Sequence, residues 1–471
     1  MKKNRLLFII AAILNTFTFT SCFNAVFYNI RKDVLPEAST VKGVINSICR
    51  YTISGEEYLF LGANDGLRYK LAKTGNVRDG NSSSWKVYSN LPFELHKFSY
   101  YSGDGKGEHT GQTILKVLAD KDTLYLVTTD YDHEYVDGYT YPNHTYIWAT
   151  KFSAENGKLS GTWKQVKFGE GTGENYKEYT ADEQRKKVFP YTYEEVNKIR
   201  IYFSHFNVFS TNSVNPDLRR VFIRANSLQD GKLTGDRYLE LKGLDSEGNP
   251  NRAEEIKLSK VDTFKNDTIA VIDNSSTTSS PVNIDSAAYL GDTVYFFDSI
   301  AVTSNETADS LPTFLYFARS ESKSKDSEED YHPSTKELAY LYLKDGKPAL
   351  GETTTSCGEI ISSLAVTKDS ILIGRGDYSI ATSNAGGIVK AKLTDGIPGK
   401  ELSSFDTNAS IQLSYSYQIL TLLAVDPTQL EADSILYSSI TFKGTGSSAG
   451  TSFDNIGLWA YYPDRGNWNC E

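Results

Sequence analysis

One short pattern recurs along the chain and restricts it more than any other feature. A polar residue, an aspartate and a threonine or serine precede an apolar strand: Lys121-Asp122-Thr123 before LYLV, Asn266-Asp267-Thr268 before IAVI, Gly291-Asp292-Thr293 before VYFF, Lys368-Asp369-Ser370 before ILIG, and Ala432-Asp433-Ser434 before ILYS. Glu56-Glu57 before YLFLG reads as a sixth copy. An aspartate can satisfy backbone groups in a tight turn, and a hydroxyl residue tolerates the start of a strand, so each copy predicts a β-hairpin. Several copies follow a second apolar strand, as in ILKVLA (114–119), ISSLAV (361–366) and ILTLLAV (419–425). Self-similarity of this kind marks a repeat-built fold.

A third strand is expected after each hairpin: GLRYKL from Gly66, YIWATKF from Tyr146, RVFIRA from Arg220, FLYFARS from Phe314, GIVKAKL from Gly387 and GLWAYYP from Gly457. Fourth strands are readable at WKVYSNLP from Trp85, TWKQVKF from Thr162 and DRYLELKG from Asp236. Four antiparallel strands repeated in this way predict an all-β chain, a single β-propeller of four-stranded antiparallel blades. Blades are expected near 42–90, 112–168, 198–243, 284–352, 360–405 and 417–470. The further strand pair VDTF and IAVI, within 261–272, belongs either to a degenerate seventh blade or to an insertion. Seven blades is the favoured count and six the alternative; eight blades, paired sandwiches and a jelly roll are the remaining readings.

The first 22 residues set the location. Lys2, Lys3 and Arg5 precede the apolar run Leu6 to Leu14, and small or aromatic residues lead to Cys22, the layout of an export signal. That run is too short to span a bilayer, which takes about 20 residues. Residues 1–21 are therefore read as a signal peptide, 22–40 as a tether and 41–471 as the propeller. Leaving out the three basic residues of the signal, 46 of 49 basic residues face 59 acidic ones, a charge of about −13. Such a body is a poor partner for nucleic acid. Cys22, Cys49, Cys357 and Cys470 have no CxxC spacing, which argues against a zinc or redox motif. A ring-shaped fold would bring its two ends together, making Cys49 and Cys470 a candidate disulfide, with buried unpaired cysteines as the other reading.

Loops are expected to project at 92–111, 130–144, 169–197 and 320–335; in the third of these, Thr180 and Glu183 form a capping box for a short helix. Phe98, Tyr100 and Tyr101 in one loop and Tyr131, Tyr135, Tyr139 and Tyr141 in the next are candidate binding residues, since tyrosine offers contact area at low entropic cost. Ordinary strand tyrosine is the competing explanation. Asp130, Asp132, Glu134 and Asp137 form a weak calcium candidate, set against a solvated acidic loop because the glycine and the terminal glutamate of an EF-hand are misplaced. The six histidines, His96, His109, His133, His144, His205 and His332, form no HExxH motif; His133 and His144 flank one loop and could meet across it. No GxSxG elbow occurs. Trp85 after Ser82-Ser83-Ser84 and Trp468 after Asp464-Arg465-Gly466 only loosely follow an Asp-box and are better read as turns seating a tryptophan between blades. No catalytic residue, metal or cofactor is predicted.

Cys22 directly after Ser21 resembles the lipobox of bacterial lipoproteins, in which that cysteine is acylated, although Phe19 stands where the usual pattern has leucine. The segment that follows, FNAVFYNIRKDVLPEASTVKGVINSICRY and then GEEYLFLGANDGLRYK, is similar to the opening of spirochaetal, specifically treponemal, lipoproteins over residues 22–90. The resemblance implies a lipid anchor at Cys22 and a propeller body, and it supplies no catalytic residues. The expectation is a noncatalytic, monomeric lipoprotein of the cell envelope. Membrane lipid would hold it through Cys22, at the outer membrane on the surface or the periplasmic leaflet, and its loop face would bind a protein or a glycan. A periplasmic scaffold for outer-membrane protein assembly is the alternative, and a glycan-active enzyme a remote third.

Overall fold

The computed structural model describes residues 41, 45, 47–63, 65–72, 85–100, 107–131, 142–156, 158–196, 199–204, 206–210, 216–229, 232–256, 258–264, 267–272, 287–290, 293–296, 301–302, 314–319, 336–344, 347–351, 354–376, 386–405, 417–425, 429–442, 457–463 and 466–471. The chain is all-β, built from successive four-stranded antiparallel sheets in a propeller-like arrangement.

In each sheet the strands pair in sequence order. The first sheet runs Ile48–Ile53, Glu56–Ala63, Gly66–Leu71 and Lys86–Tyr88, and the second Thr113–Ala119, Leu124–Tyr131, Pro142–Thr150 and Lys164–Gln165. The third is Phe206–Ser210, Val221–Gln229, Lys232–Leu241 and Glu254–Ile256; the fourth Leu258–Phe264, Asp267–Ile272, Ala287–Leu290 and Thr293–Phe296. The fifth, Ala301–Val302, Phe314–Arg319, Glu337–Lys344 and Lys347–Leu350, gains Thr355–Ser356 against its third strand. The sixth is Ile361–Val366, Ser370–Arg375, Ile388–Thr394 and Ile397–Ser404, and the seventh Tyr417–Ala424, Leu436–Phe442, Gly457–Tyr462 and Asn467–Cys470.

Several strand assignments made from sequence are corrected. RVFIRA and FLYFARS are second strands of their sheets, not third, and DRYLELKG is a third strand, not a fourth. Likewise VYFF closes the fourth sheet as its last strand, so the pair VDTF and IAVI is the start of a complete sheet rather than an insertion. The periodicity of a strand does not encode its rank in a meander, so these positions were exchangeable on pattern alone.

Alternate residues of the first two strands face opposite neighbours. Cys49, Tyr51, Ile53, Tyr58 and Phe60 pack toward Ile114, Val117, Leu124 and Leu126 of the second sheet. Ile48, Leu59, Leu61 and Ala63 pack toward Leu423, Tyr437, Leu458 and Ala460 of the seventh. A strand covered on both faces has no solvent side to mark with polar residues, which is why YLFLG is a continuous apolar run. Each such fully buried side chain contributes roughly 1.5–3 kcal/mol of transfer free energy. Further cores join the second sheet to the third, the fifth to the sixth and the sixth to the seventh. Trp85 and Trp468 sit in two of these inter-sheet cores, in line with their reading as seats between blades.

The junction between the first and second sheets and that between the sixth and seventh are built alike. A bulge falls in the first strand of the second sheet between Ile114 and Lys116, and in that of the seventh between Ile419 and Thr421. Just past it, the Val117 N–H donates to Ser47 Oγ (2.6 Å), and the Leu422 N–H donates to Ser363 Oγ (2.8 Å). Ser363 pairs with Gly374, and Ser47 is the next partner of Gly62 in the register that pairs Ile48 with Leu61. A Cβ on Gly62 would lie 2.4 Å from Ile114 Cγ2, and one on Gly374 would lie 2.6 Å from Ile419 Cγ2. Glycine is needed at both places because the next sheet comes too close for a side chain.

The first and seventh sheets meet in another way. The Val41 N–H donates to Glu471 O (3.0 Å), the Leu458 N–H to Val41 O (3.2 Å) and the Glu471 N–H to Leu458 O (2.9 Å). The Glu471 carboxylate, fully buried, accepts from Trp85 Nε1 (2.7 Å), Tyr462 OH (2.6 Å) and Lys70 Nζ (3.3 Å). Arg219, in the connection between the first two strands of the third sheet, crosses to the first: its Nη1 donates to Arg50 O (3.2 Å) and its Nη2 to Glu57 Oε1 (2.6 Å).

The candidate disulfide does not form. Cys49 is a free, buried thiol, pushed up to about 12 by burial, and it points into the core shared with the second sheet, whereas Cys470 ends the last strand of the seventh. Alternation along the strand turns Cys49 away from the seam that holds the C-terminus. The repeated aspartate also acts differently from expectation. In the second sheet it is Asp120, two places earlier, whose Oδ1 accepts the N–H groups of Asp122 and Thr123. Asp369 Oδ1 accepts the Thr367 hydroxyl of its own turn (3.2 Å) and also the Glu431 N–H in the first connection of the seventh sheet (2.9 Å), so that aspartate ties two sheets as well.

Candidate functional site

In a meander of this kind the connections between sheets leave from the same end as the turns between second and third strands. The longest described additions are there. Between the first and second sheets the chain forms a hairpin, Lys97–Tyr100 with Gly107–Thr110, in which Phe98 pairs with His109 and Tyr100 with Gly107. Its base is zipped to Gln112, whose backbone N–H donates to Glu94 O (2.8 Å) while the His96 N–H donates to Gln112 O (2.9 Å). Gly111 makes this turn back: its φ is +76°, and a Cβ would lie 2.6 Å from both Glu94 O and Leu95 O.

The hairpin lies against the second sheet through three rings. His96 Nε2 and His109 Nδ1 share a hydrogen bond of 2.9 Å. Tyr131 meets His96 edge-on at 4.7 Å between centroids and His109 at 5.9 Å. The two imidazoles are nearly coplanar, 14° apart, with centroids separated by 5.2 Å, which is the N···N distance plus the two ring radii. The ring nitrogens therefore face each other head-on along one line. A chelated metal needs two lone pairs converging on a third point, so this pair is arranged to share a proton rather than an ion. Burial holds both imidazoles below the usual histidine value, and His109 adds to the effect at His96.

Beside this cluster, the third strand of the second sheet alternates. Thr145, Ile147 and Ala149 are buried, while His144, Tyr146 and Trp148 form a half-buried row on the other face. Asp130 binds the row's upper end: its Oδ1 accepts the His144 N–H (2.7 Å) and its Oδ2 accepts the Tyr146 OH (2.9 Å). Burial first, and then Asp130, hold the Tyr146 phenol above its usual range. Trp148 Nε1 donates to Gln112 Oε1 and Thr128 Oγ1, both at 3.2 Å, and Phe93 lies over its ring at 6.0 Å. On the far side Tyr191 and Thr145 share a hydrogen bond of 2.9 Å, which ties in the next connection. The capping box of Thr180 and Glu183 is present on the helix Ala181–Lys187 in that connection.

Of the candidate binding residues, Tyr131 is thus in the cluster, and Phe98 and Tyr100 are in the adjoining hairpin. Tyr101, Tyr135, Tyr139 and Tyr141 lie outside the described residues, as do Asp132, Glu134 and Asp137 of the calcium candidate, and Cys22. Asp130, the described member of the calcium set, has both carboxylate oxygens engaged by protein donors. His144 turns to Asp130, its Nδ1 3.6 Å from Oδ1, and His133 lies outside the described residues. Sequence reasoning missed the pairing of His96 with His109, which are 13 residues apart in no motif; the available signal was that a hairpin between them would bring its two ends together.

This arrangement offers flat, half-exposed aromatic surfaces with polar edges. Among the described residues no helix is long and apolar enough to cross a membrane, and no group of three or more metal-ligating side chains is assembled. No family model matches the chain, and no curated protein matches it. Among solved structures, the C-terminal domain of gp131 from bacteriophage phiKZ is similar with a TM-score of 0.30 at 9% identity, covering 86% of this chain and 93% of that one. The xylan beta-1,4-xylosidase from Bacillus halodurans C-125 is similar with a TM-score of 0.28 at 12% identity, covering 86% of this chain and 68% of that one. Similarity at this level carries no argument about what the chain does.

Proposed function

We propose that the seven sheets close into a β-propeller, and that the protein is a noncatalytic, lipid-anchored envelope lipoprotein binding a protein or glycan partner through the face that carries the hairpin. The core between first and seventh sheets, the main-chain bonds of Val41 with Glu471 and Leu458, and the reach of Arg219 across to the first sheet all support closure. The export-signal layout ending at Cys22 supports the anchor, and residues 23–40 are then a spacer.

The observation that carries the binding reading is the row of His144, Tyr146 and Trp148 as partly exposed rings on one face of the second sheet, near the projecting hairpin whose base meets Tyr131. Aromatic groups on a rigid scaffold are the usual anchors of a recognition surface. Cross-linking and pull-down from cells, comparing the unaltered protein with Tyr131→Ala and Tyr146→Ala, tests it; loss of the same cross-linked partner from both variants is expected. Unchanged capture would refute this face as the site. Cys22→Ala is expected to move the mature protein from the membrane to the soluble fraction. Protease added to intact cells should clip a surface binder and spare a periplasmic scaffold.

A further inference from the structure

We infer that His96, His109 and Tyr131 form an acid-released clasp that holds the base of the hairpin Lys97–Tyr100 with Gly107–Thr110 closed against the second sheet. The neutral pair is held by one N–H and one lone pair facing each other at 2.9 Å, with Tyr131 closing over both rings. When both imidazoles are protonated, two N–H groups and two positive charges face each other along that line, and no acceptor remains between them. His109 is buried at 4% exposure, so its ring cannot turn to solvent without the hairpin moving.

Asp130, beside Tyr131 on the second strand, is taken up by His144 and Tyr146 of the third, and Tyr191 is engaged by Thr145. Glu94, Lys97 and Glu108 belong to the hairpin's own segment, adjacent to the two histidines. Burial first and His109 second lower His96, and burial lowers His109. A histidine held below its free value of 6.5 gives docking energy that is complete above that value and is lost as the pH falls beneath it.

The clasp regulates the face assigned above, and its value for partner binding rests on that reading. Hydrogen–deuterium exchange of the whole mature protein, corrected for intrinsic rates, tests the clasp without any partner. Between about pH 7.5 and about pH 5, amides of 93–112 should lose about tenfold in protection while those of 361–375 keep theirs. The double variant His96→Gln with His109→Gln should abolish the pH dependence. Gly111→Ala, which clashes with the backbone of Glu94 and Leu95, should expose the hairpin at both pH values. Equal protection of 93–112 at the two pH values in the unaltered protein, or an undiminished acid response in the double glutamine variant, would overturn the clasp. If the exchange behaves as expected and no partner is captured at either pH, the clasp stands and the binding reading falls.

Discussion

The junction between the sixth and seventh sheets and the junction between the seventh and first join the same kinds of surface by different means. The former repeats, some 300 residues later, the device used between the first and second: a glycine on the second strand, a serine opposite it and a bulge on the incoming strand. At the latter the glycine's structural place is taken by Ser439, which pairs with Thr421 past the bulge, and whose Oγ accepts the Ile45 N–H at 3.2 Å. The closing work passes to Glu471 and its three donors. Where the chain is continuous, neighbouring sheets are held by covalent connection and need only fit. Where the first and last sheets meet, segments far apart in the chain come together, and loop-closure entropy must be opposed by specific bonds.

The second-to-third junction is a third variant. Lys116 stands where Ser363 stands in the sixth sheet, and its Nζ donates to Val208 O at 2.9 Å. Asp120 and Tyr125 link the same two sheets: Tyr125 OH donates to Asp120 Oδ2 (2.7 Å) and accepts the Gly243 N–H (2.8 Å).

The sharpest way to break the comparison is Glu471→Ala, which leaves the buried Lys70, Trp85 and Tyr462 donors without their acceptor. A loss of about 3 kcal/mol is expected in urea unfolding, and a loss under 1 kcal/mol would show that main-chain bonds alone close the seam. Next come Gly62→Val and Gly374→Val, each forcing a side chain against an isoleucine of the following sheet. Each should cost about 2 kcal/mol, and a large difference between them would break the equivalence of the two junctions. Ser47→Ala and Ser363→Ala should each cost about 1 kcal/mol, measured the same way.

A further difference lies in the pH dependence of the second-to-third junction. Burial pushes the Asp120 carboxyl up to about 6, above its ordinary 3.8. Its native site therefore favours the protonated form, and stability contributed there is present at acid pH and declines as the pH rises from near 4 through 6. Asp120→Asn should flatten that part of the stability profile, whereas a slope unchanged by the substitution would place the titration elsewhere.

Much of the architecture was legible because strands and turns are local. The apolar runs YLFLG and ILIG, the turn aspartates and the capping box of Thr180 and Glu183 all read as elements, and all-β sheets of four strands followed from their repetition. What each element does was less legible. The Gly62 and Gly374 that end two of those runs look like turn punctuation in sequence, yet they are contact points with the next sheet. Asp369 looks like a turn cap and binds a neighbour as well. RVFIRA was ranked one strand too late because nothing in a strand's composition states its place in the sheet. Of the candidate site, Tyr131 was found through the density of tyrosine near it, while His96 and His109 stand in no motif and are paired by the hairpin between them.

The sequence by itself determined that this chain makes short antiparallel strands in a repeating series, since alternation and turn chemistry act over a few residues. Tertiary structure alone decided which face of each strand meets which neighbour, that Cys49 turns away from Cys470, and that the buried Glu471 carboxylate accepts from Trp85. Those outcomes depend on the approach of surfaces separated by tens to hundreds of residues, and the free energy of such contacts is written in geometry rather than in any local string.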